Sequence, residues 1–215
     1  MKLTDISYAR AVMEKHGIAP QKRYGQNFLI SDNVVSRIAD TPKNGNEELG
    51  IIEIGPGIGT LTEKLAVRYK KVVAVEIDTS LIPVLADTLS DFDNVKVIHA
   101  DAMKTDFAAL VKEEFGDMPV AVCANLPYYI TSPVIMKLLE TEGLFESITV
   151  MIQKEVADRL TSPAGGKDYG AITAVLAYYG EAEKLFTVPA DRFVPAPKVN
   201  SSVIRIKLHK QKPYV

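Results

Sequence analysis

Ile51-Ile52-Glu53-Ile54-Gly55-Pro56-Gly57-Ile58-Gly59-Thr60-Leu61-Thr62 is the stretch on which the fold turns. A short apolar run rich in isoleucine ends in a glycine turn. A helical pattern then continues through Leu61, Leu65, Ala66 and Tyr69, so the stretch reads as strand, turn, helix. Outward from it the same alternation repeats. Strands are expected at Val72 to Glu76, Val95 to Ile98, Val120 to Ala124 and Ile148 to Ile152. The helices between them fall at Leu81 to Leu89, Phe107 to Phe115 and Pro133 to Glu140. Continuous β-branched strands joined by helical crossovers predict an α/β chain with a parallel sheet covered on both faces, and ligands at the carboxyl ends of its strands. The last part departs from this rhythm. Helices are expected at Glu155 to Leu160 and Ala171 to Tyr179, then strands at Leu185 to Val188 and Ser202 to Lys207. The short Pro-rich link between these two strands favours an antiparallel pair. Before the sheet, Ile6, Ala9, Val12 and Met13 mark a helix from Thr4 to His16 that stops at Gly17, and Ser31 or Asp32 caps a second helix through about Ala39. Between the two helices residues 21 to 29 carry no periodicity, and a loop is expected at Thr41 to Gly45.

With 215 residues, 47% of them hydrophobic, the chain can bury a sizeable core. One cysteine, Cys123, excludes an internal disulfide framework and any Cys-rich zinc site, which fits a reducing, cytoplasmic setting. No stretch approaches a membrane span, and no leader pattern opens the chain. A net charge of −2 argues against a protein coated in positive charge. Basic residues still cluster at Lys22-Arg23, along Lys64, Arg68, Lys70 and Lys71, and in Arg192, Lys198, Arg205, Lys207, Lys210 and Lys212, where they read equally as ordinary solvated faces or as a nucleic-acid surface.

Gly55, Gly57 and Gly59 let backbone approach a ligand where a Cβ would clash. The spacing is Gly-x-Gly-x-Gly, not the Gly-x-Gly-x-x-Gly that seats a dinucleotide pyrophosphate. Glu53 before the turn suits a cationic sulfonium and amino-acid tail better than phosphates. Glu76, at the end of the next strand, can accept both hydroxyls of a ribose, with Ile77 beside it. Asp101, followed by Ala102 after the third strand, is placed to accept from an adenine amine. Together these residues point to S-adenosylmethionine, with a dinucleotide dehydrogenase as the main rival. Surface caps or turn residues remain the plain reading of Glu76 or Asp101 taken singly.

The rival offers no account of Asn125-Leu126-Pro127-Tyr128 at the end of the fourth strand. The Asn125 amide oxygen and the Leu126 carbonyl are two acceptors for the two hydrogens of an exocyclic amine. Pro127 stiffens the turn, and Tyr128 offers a face for a base. An aromatic amine is a poor nucleophile because its lone pair is delocalised, so holding its N–H bonds out of plane favours attack. Orientation of this kind can supply up to roughly 7–11 kcal/mol. Phe193, on the proline-stiffened loop Phe193-Val194-Pro195-Ala196-Pro197, reads either as a second stacking face against Tyr128 or as a core plug beneath the loop.

Four separated motifs, Gly25-Gln26-Asn27-Phe28-Leu29, Glu53 to Thr62, Asn125-Leu126-Pro127-Tyr128-Tyr129 and Phe193 to Pro197, resemble the ribosomal RNA adenine N6,N6-dimethyltransferases of the small-subunit KsgA/RsmA type, from about Gln21 to Lys207. The resemblance implies a Rossmann-like S-adenosylmethionine-dependent methyltransferase fold with a mostly parallel seven-stranded sheet and an antiparallel strand near the end. By resemblance Gln26, Asn27 and Leu29 close over the cofactor, Gly55 and Gly57 contact it by backbone, Glu76 takes the ribose, Asp101 the adenine, and Asn125 the transferring region. It also implies dimethylation of two adjacent adenosines in a hairpin near the 3′ end of small-subunit RNA, with a role in ribosome biogenesis. The partner would be that RNA or the particle containing it. A monomer without metal or membrane attachment is expected. The division expected is a helical, cofactor-capping segment at 1–45 and a catalytic domain at 46–210. Family members continue into a small helical domain that grips RNA, whereas this chain stops at Lys212-Pro213-Tyr214-Val215. The related large-subunit enzymes of macrolide resistance share the cofactor motifs, and Tyr129 with the Phe193 to Pro197 phrasing favours the small-subunit type. DNA adenine methyltransferases usually carry an acidic residue where Asn125 stands. A ribosome assembly factor whose methylation is incidental is the reading from another class.

Overall fold

The computed structural model describes residues 2–21, 25–42 and 48–209. The expectations placed on Lys22-Arg23, on the loop from Lys43 to Gly45, and on Lys210, Lys212 and the last residues lie outside this range. Among the described residues a seven-stranded sheet forms from β2 (Gly50–Ile54), β3 (Lys71–Glu76), β4 (Val95–His99), β5 (Val120–Asn125), β6 (Ser147–Gln153), β7 (Gly180–Val188) and β9 (Ser201–Leu208), in the order β4-β3-β2-β5-β6-β9-β7. β9 pairs antiparallel with both β6 and β7, and all other pairs are parallel. Only β9 therefore runs against the rest. The crossover helices are α3 (Thr60–Ala66), α4 (Ile82–Thr88), α5 (Phe107–Phe115) and α6 (Thr131–Leu139), followed by α7 (Lys154–Leu160) and α8 (Ala171–Tyr179).

Every residue of β2 and the first five of β5 are buried, as a sheet covered on both faces requires. On one face Ile52, Val73, Val122 and Val150 pack against Phe107 and Phe115 of α5, Ile135 and Leu138 of α6, and Leu160 of α7. On the other, Ile51, Ala121, Cys123, Met151 and Val203 meet Val35, Ile38 and Ala39 of α2 (Asp32–Asp40) and Leu61 and Leu65 of α3. A third cluster joins Leu3, Ala9, Val12 and Met13, around α1 (Ile6–Lys15), to Val84 and Leu85 of α4. Asp5 caps α1 by accepting from the Ser7 and Tyr8 amides. Ile6 points outward, 38% exposed, and Leu3 fills the core instead. At α2 the structure departs from a simple cap: Ser31 makes no side-chain cap bond, while Asp32 pairs with Lys64 at 2.7 Å and Lys2 at 3.2 Å.

Two elements escape periodicity. β1 (Phe28–Leu29) and β8 (Phe193–Val194) form a separate antiparallel pair, with Phe28 opposite Val194 and Leu29 opposite Phe193. Two-residue strands have no period to read, and each finds its partner at the far end of the chain. β7 begins earlier than expected, since Gly180 to Lys184 holds no β-branched residue and is held as strand by its pairing with β9.

Candidate active site

Strand order reverses about β2, between β3 and β5, and there the carboxyl ends open into one cavity. It is lined by Gln26, Asn27, Phe28 and Leu29 of the capping segment, Glu53, Gly55 and Gly57 at the end of β2, Glu76 and Ile77 at the end of β3, Asp101 and Ala102 after β4, Asn125, Leu126, Pro127 and Tyr128 at the end of β5, and Phe193. Of the residues singled out for cofactor and catalysis only Gly59 lies outside it: a Cβ there would meet Thr88 at 3.1 Å and Leu89 at 3.2 Å, so this third glycine serves the packing of the turn against the end of α4.

The glycine turn supplies backbone where no side chain fits. Gly55 and Gly57 have φ of +70° and +62°, and a Cβ on Gly57 would lie 3.2 Å from the Phe28 ring. The Gly57 amide donates to Glu76 Oε2 at 3.3 Å, and the Asp78 amide donates to Glu76 Oε1 at 2.8 Å, so the carboxylate is oriented from both sides. Burial raises the Glu76 carboxyl above its ordinary range, and these amide donors pull it back.

Glu53 is 1% exposed, and its Oε2 has no hydrogen-bond partner among the described residues. Burial pushes its carboxyl up to about 8. At neutral pH it is therefore protonated in the bare cavity, not the fixed anion suggested by sequence. A cation brought beside it would draw the value down and favour the carboxylate. Asp101 holds the Met103 amide through Oδ1 at 2.8 Å, a turn bond that fixes its side chain at the β4 end of the cavity.

Around the β5 end, the Leu126 amide donates to Met151 at 3.1 Å, and Thr131 Oγ1 and the Ile130 amide donate to the Pro127 carbonyl, each at 3.2 Å. The loop is thus anchored on both flanks. Asn125 Nδ2 donates to the Asn27 carbonyl at 3.5 Å, which leaves Oδ1 as the acceptor. The Tyr128 hydroxyl lies 2.8 Å from the hydroxyl of fully buried Ser201, a partner that pattern reading missed because it stands 73 positions away on β9. Burial raises the Tyr128 phenol. Phe193 is 3% exposed and belongs to the core beneath the loop, as the core-plug reading expects, and it also lines the cavity. Gln26 lines the cavity, but its amide is engaged within the protein, donating to Asp78 at 2.8 Å and accepting from the Gln21 amide at 2.8 Å.

The basic stretch from Lys64 to Lys71 is a set of ion pairs. Lys64 meets Asp32, Arg68 meets Asp40, Lys70 meets Glu48 and Lys71 meets Glu114. Arg205 and Lys207 share Glu183. Each of these six cations thus has a carboxylate beside it.

The cavity suits S-adenosylmethionine. Carboxylates on three successive strand ends match a ribose, an adenine amine and a cationic tail. The first of these, Glu53, has an oxygen without a partner among the described residues, and the two positive-φ glycines leave a cradle that a Cβ would fill. The same acidity opposes the pyrophosphate of a dinucleotide.

A profile of the family described as ribosomal RNA adenine dimethylase matches residues 19–215. The chain belongs to this family. Among curated members, the ribosomal RNA small subunit methyltransferase A of Geobacillus sp. (strain WCH70) is 50% identical over 95% of this chain and 70% of its own length. The protein of the same name from Streptococcus thermophilus (strain CNRZ 1066) is 47% identical over 98% and 73%. Of solved structures, the 23S rRNA methyltransferase ErmE superposes with a TM-score of 0.75 at 30% identity, covering 88% of this chain and 72% of that one. A dimethyladenosine transferase from Plasmodium falciparum gives 0.74 at 29%, covering 85% and 64%.

Proposed function

We propose that the chain catalyses S-adenosylmethionine-dependent N6,N6-dimethylation of adenosine in small-subunit ribosomal RNA, at two adjacent adenosines of the 3′-terminal hairpin, in the cytoplasm, as a monomer without metal. The observation that carries the reading is Asn125, whose amide nitrogen donates to Asn27 and whose oxygen is thereby left as an acceptor, in the cavity that also holds Glu53, Glu76 and Asp101. The small-subunit relatives at 50% identity, against 30% for the large-subunit enzyme, support the choice of RNA. Among the described residues no helix is long and apolar enough to cross a membrane.

S-adenosylmethionine, when bound, supplies a methyl group on a sulfonium. Glu76 would hold the ribose hydroxyls, Asp101 the adenine amine, and the backbone at Gly55 and Gly57 would admit the chain of the cofactor between strand and cap. Asn125 Oδ1 and the Leu126 carbonyl would accept the two N6 hydrogens, which turns the nitrogen lone pair out of the ring plane. Neither acceptor is a base, so the proton shed by N6 passes to water. After the first transfer one N–H remains, and one acceptor suffices to orient it. Tyr128, fixed through Ser201, would present a face to the extruded base, and Phe193 would close the other side.

Asn125→Ala tests this reading. Single-turnover methylation should fall on the order of 10²–10³-fold, the size of effect seen when one preorganised hydrogen-bonding group is lost from an active site. Affinity for S-adenosylhomocysteine, measured by calorimetry, should fall far less. An unchanged turnover rate would contradict the assignment.

A further inference from the structure

Asp78 stands two residues beyond Glu76, is 2% exposed, and does not line the cavity. Its carboxylate nevertheless gathers donors from two distant parts of the chain. Oδ2 accepts from Gln26 Nε2 at 2.8 Å and from Gln21 Nε2 at 3.1 Å, while Oδ1 accepts from the Ser80 amide at 3.0 Å and the Ser80 hydroxyl at 2.7 Å. The Gln21 amide donates in turn to Gln26 Oε1 at 2.8 Å, so the two glutamines lock each other as well. On its other side the Asp78 amide donates to Glu76 Oε1, whose second oxygen holds Gly57. Hydrogen bonds thus run without a gap from the capping segment through Asp78 to the cavity carboxylate and the glycine turn.

The next residue extends the connection to the opposite wall. Asn27, directly after Gln26, receives the Asn125 amide on its carbonyl, and Phe28 and Leu29 then pair with Val194 and Phe193. One short stretch is therefore tied at the β3 end, at the β5 end and at the proline loop. Of these ties, the one at Asp78 is the only one built on a buried charge, where charge-assisted bonds are the strong ones. An acceptor-only group is required, because Gln26 and Gln21 donate to Oδ2 while Ser80, with a longer contact from Gln21 at 3.4 Å, donates to Oδ1. Asparagine at 78 would set an amide nitrogen against one of the two sets.

We propose that Asp78 is a positioning residue that clasps Gln26 and Gln21, holding the capping segment over the cavity and orienting Glu76 for the cofactor. This rests on the reading of the cavity as the S-adenosylmethionine seat.

The test is S-adenosylhomocysteine binding by calorimetry, with ligand-free melting recorded for each variant. Gln26→Ala and Asp78→Asn should each weaken binding about tenfold, the equivalent of one lost hydrogen bond to a charged group. The combined Gln26→Glu/Asp78→Asn variant exchanges charge and amide across the clasp, Gln21 keeping as acceptors the retained Oδ1 and Ser80 Oγ, and should return to within about threefold of the parent chain. A residue needed only for folding would not give this rescue. Parent-like binding by both single variants, or a combined variant as weak as Asp78→Asn alone, would overturn the clasp while leaving the cavity assignment intact. A parent chain that fails to bind S-adenosylhomocysteine would overturn the cavity assignment, and the clasp with it.

Discussion

Glu53 shows how a residue's environment revises its chemistry. Its place before the glycine turn is plain in the sequence, but its protonation is set by packing beneath α2 and α3, which no local pattern reports. A free glutamate releases its proton near 4.5, whereas the folded chain holds it to about 8. Between these values the unfolded state binds fewer protons than the folded one, so stability falls as pH rises through the window. From pH 5 to pH 7 this residue alone should remove about 2 kcal/mol. Urea titrations at the two pH values should show that loss in the parent chain and a clearly smaller one in Glu53→Gln, whose amide resembles the protonated acid; equal losses would contradict the burial argument. Ser201 illustrates the opposite case, a residue with no sequence signal that fixes one with a strong signal. Ser201→Ala removes the partner of the Tyr128 hydroxyl, a bond worth about 1 kcal/mol. The Michaelis constant for ribosomal RNA should rise roughly fivefold with cofactor affinity unchanged, and a cofactor effect of similar size would place Ser201 elsewhere in the mechanism.

At the scale of elements, the strand-turn-helix from Gly50 to Ala66 and the repeats after it were legible because each carries its own period and punctuation. The reversed direction of β9 was legible from the short proline-rich link. β1 and β8 were not, since each is two residues long and exists only through the other. The start of β7 was missed for a related reason, its extension being imposed by β9. The site followed the same division: strand ends and motif residues were readable, while the ties at Asp78, Ser201 and Asn27 depend on approaches over many tens of positions. The glycine turn offers the sharpest element-level test. Alanine at 57 would adopt a positive φ at a cost of about 1–2 kcal/mol and would press its Cβ on Phe28. Gly57→Ala should lower the melting temperature by roughly 2–8 °C. It should also weaken S-adenosylhomocysteine binding well beyond that stability loss, because the amide that orients Glu76 moves with it. A variant with lowered melting but undiminished affinity would show that the turn serves folding alone.

Over the whole molecule, the sheet brings four strand ends to its switch point, and the segment from Gly25 to Leu29 covers them. The ends of β2, β3 and β4 carry the carboxyl groups Glu53, Glu76 and Asp101, and the end of β5 carries the Asn125 loop to which the proposed function gives the substrate amine. The paired faces at Lys64 to Lys71 and at Glu183 show that net charge and lysine counts say little here about where RNA lies, because most of those cations already have carboxylate partners. In the proposed reading the substrate adenine is met instead at the cavity, by Asn125, Leu126, Tyr128 and Phe193. The most direct measurement of the central claim is incubation of the chain with methyl-labelled S-adenosylmethionine and unmethylated small ribosomal subunits, followed by digestion and nucleoside analysis. The account predicts label in N6,N6-dimethyladenosine of the small-subunit RNA. Label confined to large-subunit RNA, to DNA or to protein, or no transfer to adenosine at all, would contradict it.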